Sequence, residues 1–283
     1  MTTSGMKTCP VSPAPARTGA KSIAEIAPAI LQHLNHGTLE AVTLTEVLAI
    51  DHGQLLRAIA PDVGAPILEQ VTAHSHLKIK ARMQIVGQLL LDRYGLAGSE
   101  RFATHRSDTA RSWAAMMVGL APGLSLPDRL AQIANLADDP NANVREWAWM
   151  ALRPHAAHQL ELAVTQLIPW TLHPSANLRR FATELTRPRG VWCAHIQALK
   201  REPSLGLPLL EPLRADPARY VQNSVANWLN DAAKSQPQFV WDCCQRWQRE
   251  SATRATAYIC RRALRGLLDR DWQDDRTFTD RAS

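Results

Sequence analysis

The stretch Asn177–Trp192, NLRRFATELTRPRGVW, gathers Arg179, Arg180, Glu184, Arg187, Arg189 and Trp192 into a short span. On a helix, Arg180 and Glu184 stand at i and i+4 and share a face. The proline of TRPR disfavours the αR region for the residue before it. The helix should therefore stop there, and Arg189, Gly190 and Trp192 should open the next one. A carboxylate, several guanidiniums and an indole would then meet where two helices join. Such a set could hold a positively charged ring beside a phosphate chain, with the indole against the cation and the arginines on the phosphates. The same residues would also suit a surface ion pair above a core tryptophan.

The elements that position this stretch read as helices throughout. Ile23, Ile26, Ala27, Ile30, Leu31 and Leu34 recur at helical spacing, and Gly37 supplies a stop. Shorter helices are predicted over 43–48, 51–60 (capped by Asp51 and ended near Pro61) and 66–74, and a longer one over 77–94. A repeat follows. ARSWAAMM, VREWAWMA and LRRFATEL carry Arg111, Arg145 and Arg179 at intervals of 34 residues, each with an aromatic two positions on (Trp113, Trp147, Phe181). The turns DPNAN and HPSAN open the second and third units. DPARYVQNSVANWLND from Asp216 is a looser fourth copy, and TRATAYICRRALRGLL from Thr253 resembles a fifth. Second helices are expected over 128–137, 158–172, 191–201 and 238–249. Helix-turn-helix units at this period predict an all-α fold, an α-solenoid of HEAT-like helix-turn-helix repeats. The predicted organisation is a disordered leader at 1–20, a single repeat domain at 21–268 and a polar tail at 269–283.

If the first helices line the inner face, Arg111, Arg145, Arg153, Arg179, Arg180, Arg187, Arg189, Lys234, Arg261, Arg262 and Arg265 form one basic track suited to nucleic-acid phosphates. The alternative use of each repeated arginine is to brace the next repeat. Trp113, Trp147 and Trp228 follow the repeat and should be core. Trp149 points away from Trp147, so one of the two should face the groove.

Composition removes several classes. The chain has 283 residues, a formal net charge of +6 and only 13 glycines. Such a charge fits a polyanionic partner. Five cysteines (Cys9, Cys193, Cys243, Cys244, Cys260) in no framework spacing point to reduced thiols. His33/His36 and His155/His158 lack a third ligand nearby, so no metal is expected. No P-loop, Gly-rich phosphate loop or GxSxG elbow occurs, which leaves nucleotide hydrolysis and acyl transfer unsupported. No signal-peptide core and no apolar run of spanning length is present, so a soluble, cytoplasmic, monomeric protein is expected.

LRRFATELTRPRGVW, LPLLEPLRADPARYVQNSVANWLNDAAK from Leu207 and the N-terminal IAPAILQHLNHGTLEAVTLTEVLAIDHGQLLRAIAP resemble the AlkC-like branch of HEAT-repeat DNA alkylation repair proteins. The likeness runs from about residue 21 to 268. It implies a DNA glycosylase acting on double-stranded DNA that contains cationic alkylated bases, of the N3-methylcytosine, N1-methyladenine and N3-methyladenine class, with no cofactor. The resemblance puts Arg180, Glu184 and Trp192 in the active site. The family pattern has a second glutamate one repeat earlier, where this chain has Trp149; Glu146, one turn away, could stand in. Some relatives also carry a C-terminal immunoglobulin-like domain that this sequence lacks, which implies a looser grip on DNA. Arg145, Arg153, Arg179, Arg187, Arg189, Lys234 and Arg261, with Asn227 and Asn230 of the SVANWLND motif, are the expected nucleic-acid contacts.

The chemistry this implies needs little acid help, because a cationic base leaves as a neutral molecule. Glu184 would oppose the oxocarbenium-like sugar and position a water, while Arg180 keeps it ionised. Trp192 or Trp149 would lie against the cationic nucleotide. Two other functions remain open on sequence: a non-catalytic HEAT-repeat protein that binds damaged or branched DNA, and a scaffold for a protein partner.

Overall fold

The computed structural model describes residues 17–268, and within them every regular element is helical. Five helices open the chain: α1 (Pro28–Asn35), α2 (Leu44–Ala49), α3 (His52–Ile59), α4 (Ala65–Ala73) and α5 (Ile79–Tyr94). Then come α6 (Ser99–Ala103), α7 (Asp108–Leu120), α8 (Leu126–Ala137), α9 (Ala142–His158), α10 (Leu160–Thr171) and α11 (Ala176–Leu185). The last six are α12 (Gln197–Arg201), α13 (Leu207–Leu210), α14 (Arg219–Ala233), α15 (Pro237–Glu250), α16 (Arg254–Ala263) and α17 (Arg265–Leu268). No helix among the described residues is long and apolar enough to cross a membrane.

The expected leader lies mostly outside the described residues, at 1–16, as does the tail at 269–283. Residues 17–20 belong to the fold. Arg17 ion-pairs with the buried Glu46 at 2.5 Å, and Thr43 donates to the Ala20 carbonyl at 2.9 Å.

The helices stack as an α-solenoid. α5 lies on α7, α7 on α9, α9 on α11, α11 on α14 and α14 on α16, so the arginine-bearing helices form one row. α8, α10 and α15 form the second row, each against a helix of its own unit. Gly119 lets α7 approach α9 closely, since a Cβ there would sit 2.7 Å from the Ala151 carbonyl oxygen. Trp113, with Leu90 and Leu167, is buried in a first core cluster; Trp228, Trp247 and Ile259 centre a second, and Leu160 touches both.

The repeated arginines clamp turns. Each donates from Nη1 to the two carbonyls that precede its own helix: Arg111 to His105 and Arg106, Arg145 to Asp139 and Pro140, Arg179 to His173 and Pro174. Those carbonyls lie outside the helix ladder and need partners. Arg111 and Arg179 then reach the next repeat, with Nε 2.7 Å from Asp139 Oδ2 and 2.6 Å from Asp216 Oδ2 respectively. One basic track through all these arginines is therefore not what the fold builds. Arg111 and Arg179 are braces between units, and their charges are neutralised within the protein.

A second departure concerns residues 186–196, where a helix from Val191 was expected. The chain runs there as turns, and the helix starts only at Gln197. Arg153 explains this. It is 2 % exposed and donates to the carbonyls of Leu185, Arg187 and Ala194 at 3.0, 2.5 and 3.2 Å, drawing the loop around one guanidinium. Gly190 passes so close that a Cβ would meet the Arg153 side chain at 2.9 Å.

His52 on α3 is 4 % exposed, lies edge-on to Trp113 with ring centroids 5.6 Å apart, and has no partner for either ring nitrogen. Burial, aided by the nearby Arg82 charge and opposed by Asp51, lowers its pKa to about 3. Below the unfolded value of about 6.5, the unfolded chain takes up a proton that the folded chain refuses. Stability should thus be fully present above that pH. Below it, the loss should reach about 1.4 kcal/mol per pH unit until pH 3 is approached. Urea unfolding at pH 7 and pH 5 checks this, and His52→Phe, which keeps a ring against Trp113, should flatten the dependence.

Candidate active site

Six alternating charges run across three repeats. Glu146 on α9 meets Arg180 on α11 (2.6 Å), which lies 3.3 Å from Glu184 on the same helix. Glu184 meets Arg187 at 3.2 Å, Arg187 meets Asp231 on α14 at 2.7 Å, and Asp231 meets Lys234 at 3.4 Å. The i,i+4 relation of Arg180 and Glu184 is as the sequence reading expected.

Glu184 does not face an open groove. It is 2 % exposed, accepts from Ser224 Oγ at 2.8 Å, and is flanked by both arginines. Thr183 packs its hydroxyl on the same serine at 2.5 Å. The sequence placed Glu184 beside a bound nucleotide; in the fold its place at the C-terminal end of α11 makes it the joint with α14. Burial opposes the charge on Arg180, but the Glu184 and Glu146 carboxylates outweigh it and raise its pKa above the ordinary arginine value. Arg187 is likewise raised by Glu184 and Asp231 against the cost of burial.

The carboxylate that reaches solvent is Glu146, whose side chain is 36 % exposed. Oε1 accepts from Arg180, and Oε2 accepts from the Trp149 indole N–H at 2.8 Å. Trp149 sits one helical turn along α9, so this bond fixes the Glu146 rotamer from its own helix. Trp147 and Trp149 are both buried, so neither projects freely into a groove as expected, but both contribute a wall to the same cavity.

That cavity has a volume of about 340 Å³. Its floor and walls are Glu146, Trp147, Trp149 and Met150 of α9, with Leu44 and Val47 of α2 and Ile79 of α5. Val191 and Trp192 close one side. Trp192 is half-exposed and holds φ at 58°, a left-handed conformation that an aromatic residue seldom adopts. Strain of this kind costs about 1–3 kcal/mol and persists where surroundings impose it. Here Lys80 donates to the Trp192 carbonyl at 3.0 Å, while Arg153 holds carbonyls on both sides.

The remaining sequence candidates divide. Arg153 and Asn230 are buried, and Asn230 donates to the Ala263 carbonyl at 2.9 Å, so neither is placed to meet a phosphate. Arg179 is held by Asp216. Arg189 donates to the Asp231 carbonyl and to Ser235. Asn227 accepts from Arg265 at 3.2 Å. Lys234 and Arg261 are exposed, the latter 5.8 Å from the Tyr258 ring. Tyr220 went unnoticed in the sequence. Its ring lies 4.4 Å from the Arg180 guanidinium carbon and 5.1 Å from that of Arg145, and its hydroxyl accepts from Arg145 Nε at 3.1 Å. The signal was the aromatic placed just after a repeat turn, DPARY.

The fold is that of a helical-repeat protein with known structural counterparts. The Pseudomonas fluorescens alkylpurine DNA glycosylase AlkC, solved bound to DNA containing an abasic site analog, superposes with a TM-score of 0.64 at 24 % identity. The match covers 88 % of this chain and 66 % of that one. Over 118 residues the sequence is 39 % identical to the uncharacterized protein YhaZ of Bacillus subtilis (strain 168). That alignment spans 42 % of this chain and 32 % of YhaZ. No family model matches the sequence.

Removing Glu184 would leave the largely covered Arg180 and Arg187 without their shared carboxylate. Glu184→Ala should therefore lower stability by about 3–5 kcal/mol, read from denaturant unfolding. Glu146→Ala, with its half-solvated carboxylate, should cost about 1 kcal/mol or less.

Proposed function

We propose that the chain is a monofunctional DNA glycosylase that hydrolyses the N-glycosidic bond of cationic alkylated bases in double-stranded DNA, acting in the cytoplasm as a monomer without a cofactor. The observation that carries this reading is Glu146: a half-exposed carboxylate held by a guanidinium and an indole N–H in the wall of a cavity faced with tryptophan. The likeness of fold to a DNA glycosylase supports it. A volume near 340 Å³ lies within the range of small-ligand sites, about 300–1,000 Å³, and fits one displaced base.

The reaction asks for three things. The bond between the sugar C1′ and the base nitrogen breaks with its electron pair passing to the base, which departs neutral because it was cationic. Positive charge then develops on the sugar, and a carboxylate at the cavity wall stabilises it. A water adds at C1′ and gives up its proton, for which the same carboxylate is the base. Glu146 has spare lone pairs for this, since each of its oxygens accepts only one hydrogen bond. Arg180 and the Trp149 indole keep it oriented, and Glu184 keeps Arg180 in place. The catalytic carboxylate is thus the Glu146 of the earlier repeat, with Glu184 as its support.

Selection for charged bases follows from the walls. A cationic ring against Trp149 or Trp192 gains about 0.5–2 kcal/mol that a neutral base does not.

Base release from duplexes carrying N3-methylcytosine or N3-methyladenine tests the proposal. Glu146→Gln should slow release by about 100-fold or more while duplex affinity changes little. Release by that variant at the wild-type rate would remove Glu146 from the mechanism. Binding without release by the wild-type protein would favour a non-catalytic binder of damaged or branched DNA.

A further inference from the structure

The heads of four successive turns read His105, Asp139, His173 and Asp216. In each, the side chain accepts the backbone N–H two residues on, at 3.0, 2.7, 3.0 and 2.8 Å. An imidazole nitrogen and a carboxylate oxygen serve equally well to close the turn. They are not equivalent for the arginine of the preceding repeat. Arg111 and Arg179 precede turns headed by Asp139 and Asp216, and each forms an ion pair there. Arg145 precedes the turn headed by His173 and, among the described residues, has no carboxylate partner.

Its donors can be followed one by one. Nη1 gives its protons to the Asp139 and Pro140 carbonyls at 2.6 and 2.8 Å, and Nε gives its proton to the Tyr220 hydroxyl oxygen at 3.1 Å. Nη2 keeps both of its protons. Because Tyr220 accepts from Arg145, its own O–H is also left to donate. The tyrosine ring is braced between Arg145 and Arg180, so both donors have a settled position, and Arg180 links the same ring to Glu146.

We propose that Arg145 Nη2 and the Tyr220 hydroxyl hold one phosphodiester of the DNA strand whose damaged base enters the Glu146 cavity. A partner-free guanidinium edge and a phenol donor suit one phosphate oxygen or a bridging pair, and the contact carries no base preference. The inference rests on DNA being the ligand of this face. It adds the way the site is made: histidine in place of aspartate at one turn head releases a cation from the internal bracing without altering the turn.

The test is binding of an unmodified duplex by fluorescence anisotropy across a salt series. Arg145→Gln should weaken binding several-fold and lower the slope of log affinity against log salt by about one, the signature of one lost phosphate contact. Tyr220→Phe keeps the ring brace and removes the O–H. It should weaken binding by about two- to tenfold with the slope unchanged. His173→Asp offers Arg145 a carboxylate and should reproduce the lower slope with the melting temperature maintained or raised. An unchanged slope in Arg145→Gln overturns the proposal. So does a loss of melting temperature in that variant equal to that of Arg179→Gln, with binding intact, which would make Arg145 one more brace. Base release by the wild-type protein, scored in parallel, separates the two readings. Absent release with a reduced slope rejects the glycosylase and keeps the anchor; release with an unchanged slope does the reverse.

Discussion

Arg180 stands between two carboxylates from neighbouring repeats, and the placement of every group around the cavity follows from that. A guanidinium this deep can remain charged only with negative partners close by, and Glu184 supplies one that is itself buried. Glu184 in turn needs a second cation, Arg187, and Arg187 needs Asp231. The charges alternate from the cavity wall to the surface lysine, so no ion of this series is left without its opposite. Glu146 is the solvent end of this series on the cavity side. Its charge is anchored from behind and open in front, which is the condition for a carboxylate to act on something bound there.

The rigidity of the series comes from the solenoid. Its members sit on α9, α11 and α14, which lie side by side, and the arginine braces set the spacing of the units. Arg111 to Asp139 and Arg179 to Asp216 are nearly the same bond repeated. In both cases a fork of donors joins the turn before one helix to the turn before a later one. On the opposite wall Arg153 performs a comparable task for an irregular segment. It gathers three carbonyls at and around the loop that carries Trp192, so the strained tryptophan is held from α9, the helix that also carries Glu146. Both walls of the cavity are thus tied to one helix.

Much of this was legible in the sequence. The 34-residue recurrence of arginine, aromatic and alanine announces stacked helical units, and Asp51 at a helix start needs no structure to interpret. The proximity of Arg180 to Glu184 is a matter of helical geometry. What the spacing left open was direction. An arginine one helical turn in from an N-terminus can reach out to solvent or fold back onto the carbonyls of its turn, and the sequence does not distinguish these until the partner in the next repeat is known. Asp216 lies 37 positions from Arg179 and is fixed as its partner only when α11 and α14 pack. For the same reason Glu184, at the solvent-like position of an isolated helix, becomes buried once Ser224 arrives from α14. The expected helix at 191–201 failed for a local reason. Its first half carries the carbonyls that Arg153 requires, and a helix would have used them internally.

Repetition and function make opposite demands on such a chain. A brace works because its charge is cancelled inside the protein; a contact with a polyanion works because it is not. A solenoid built by copying one unit would cancel every repeated arginine alike. Here the difference is small: histidine heads the turn that follows Arg145, where aspartate heads the turns that follow Arg111 and Arg179. The turn's own hydrogen bond is preserved, and the arginine released belongs to the helix that bears Glu146. Tyr220 takes the position that a carboxylate would have filled and restores order without restoring neutrality, because a phenol braces a guanidinium through its ring and oxygen but carries no compensating charge. The regular part of the repeat therefore supplies stiffness, and the irregular part supplies the uncancelled charge, at adjoining residues of α9.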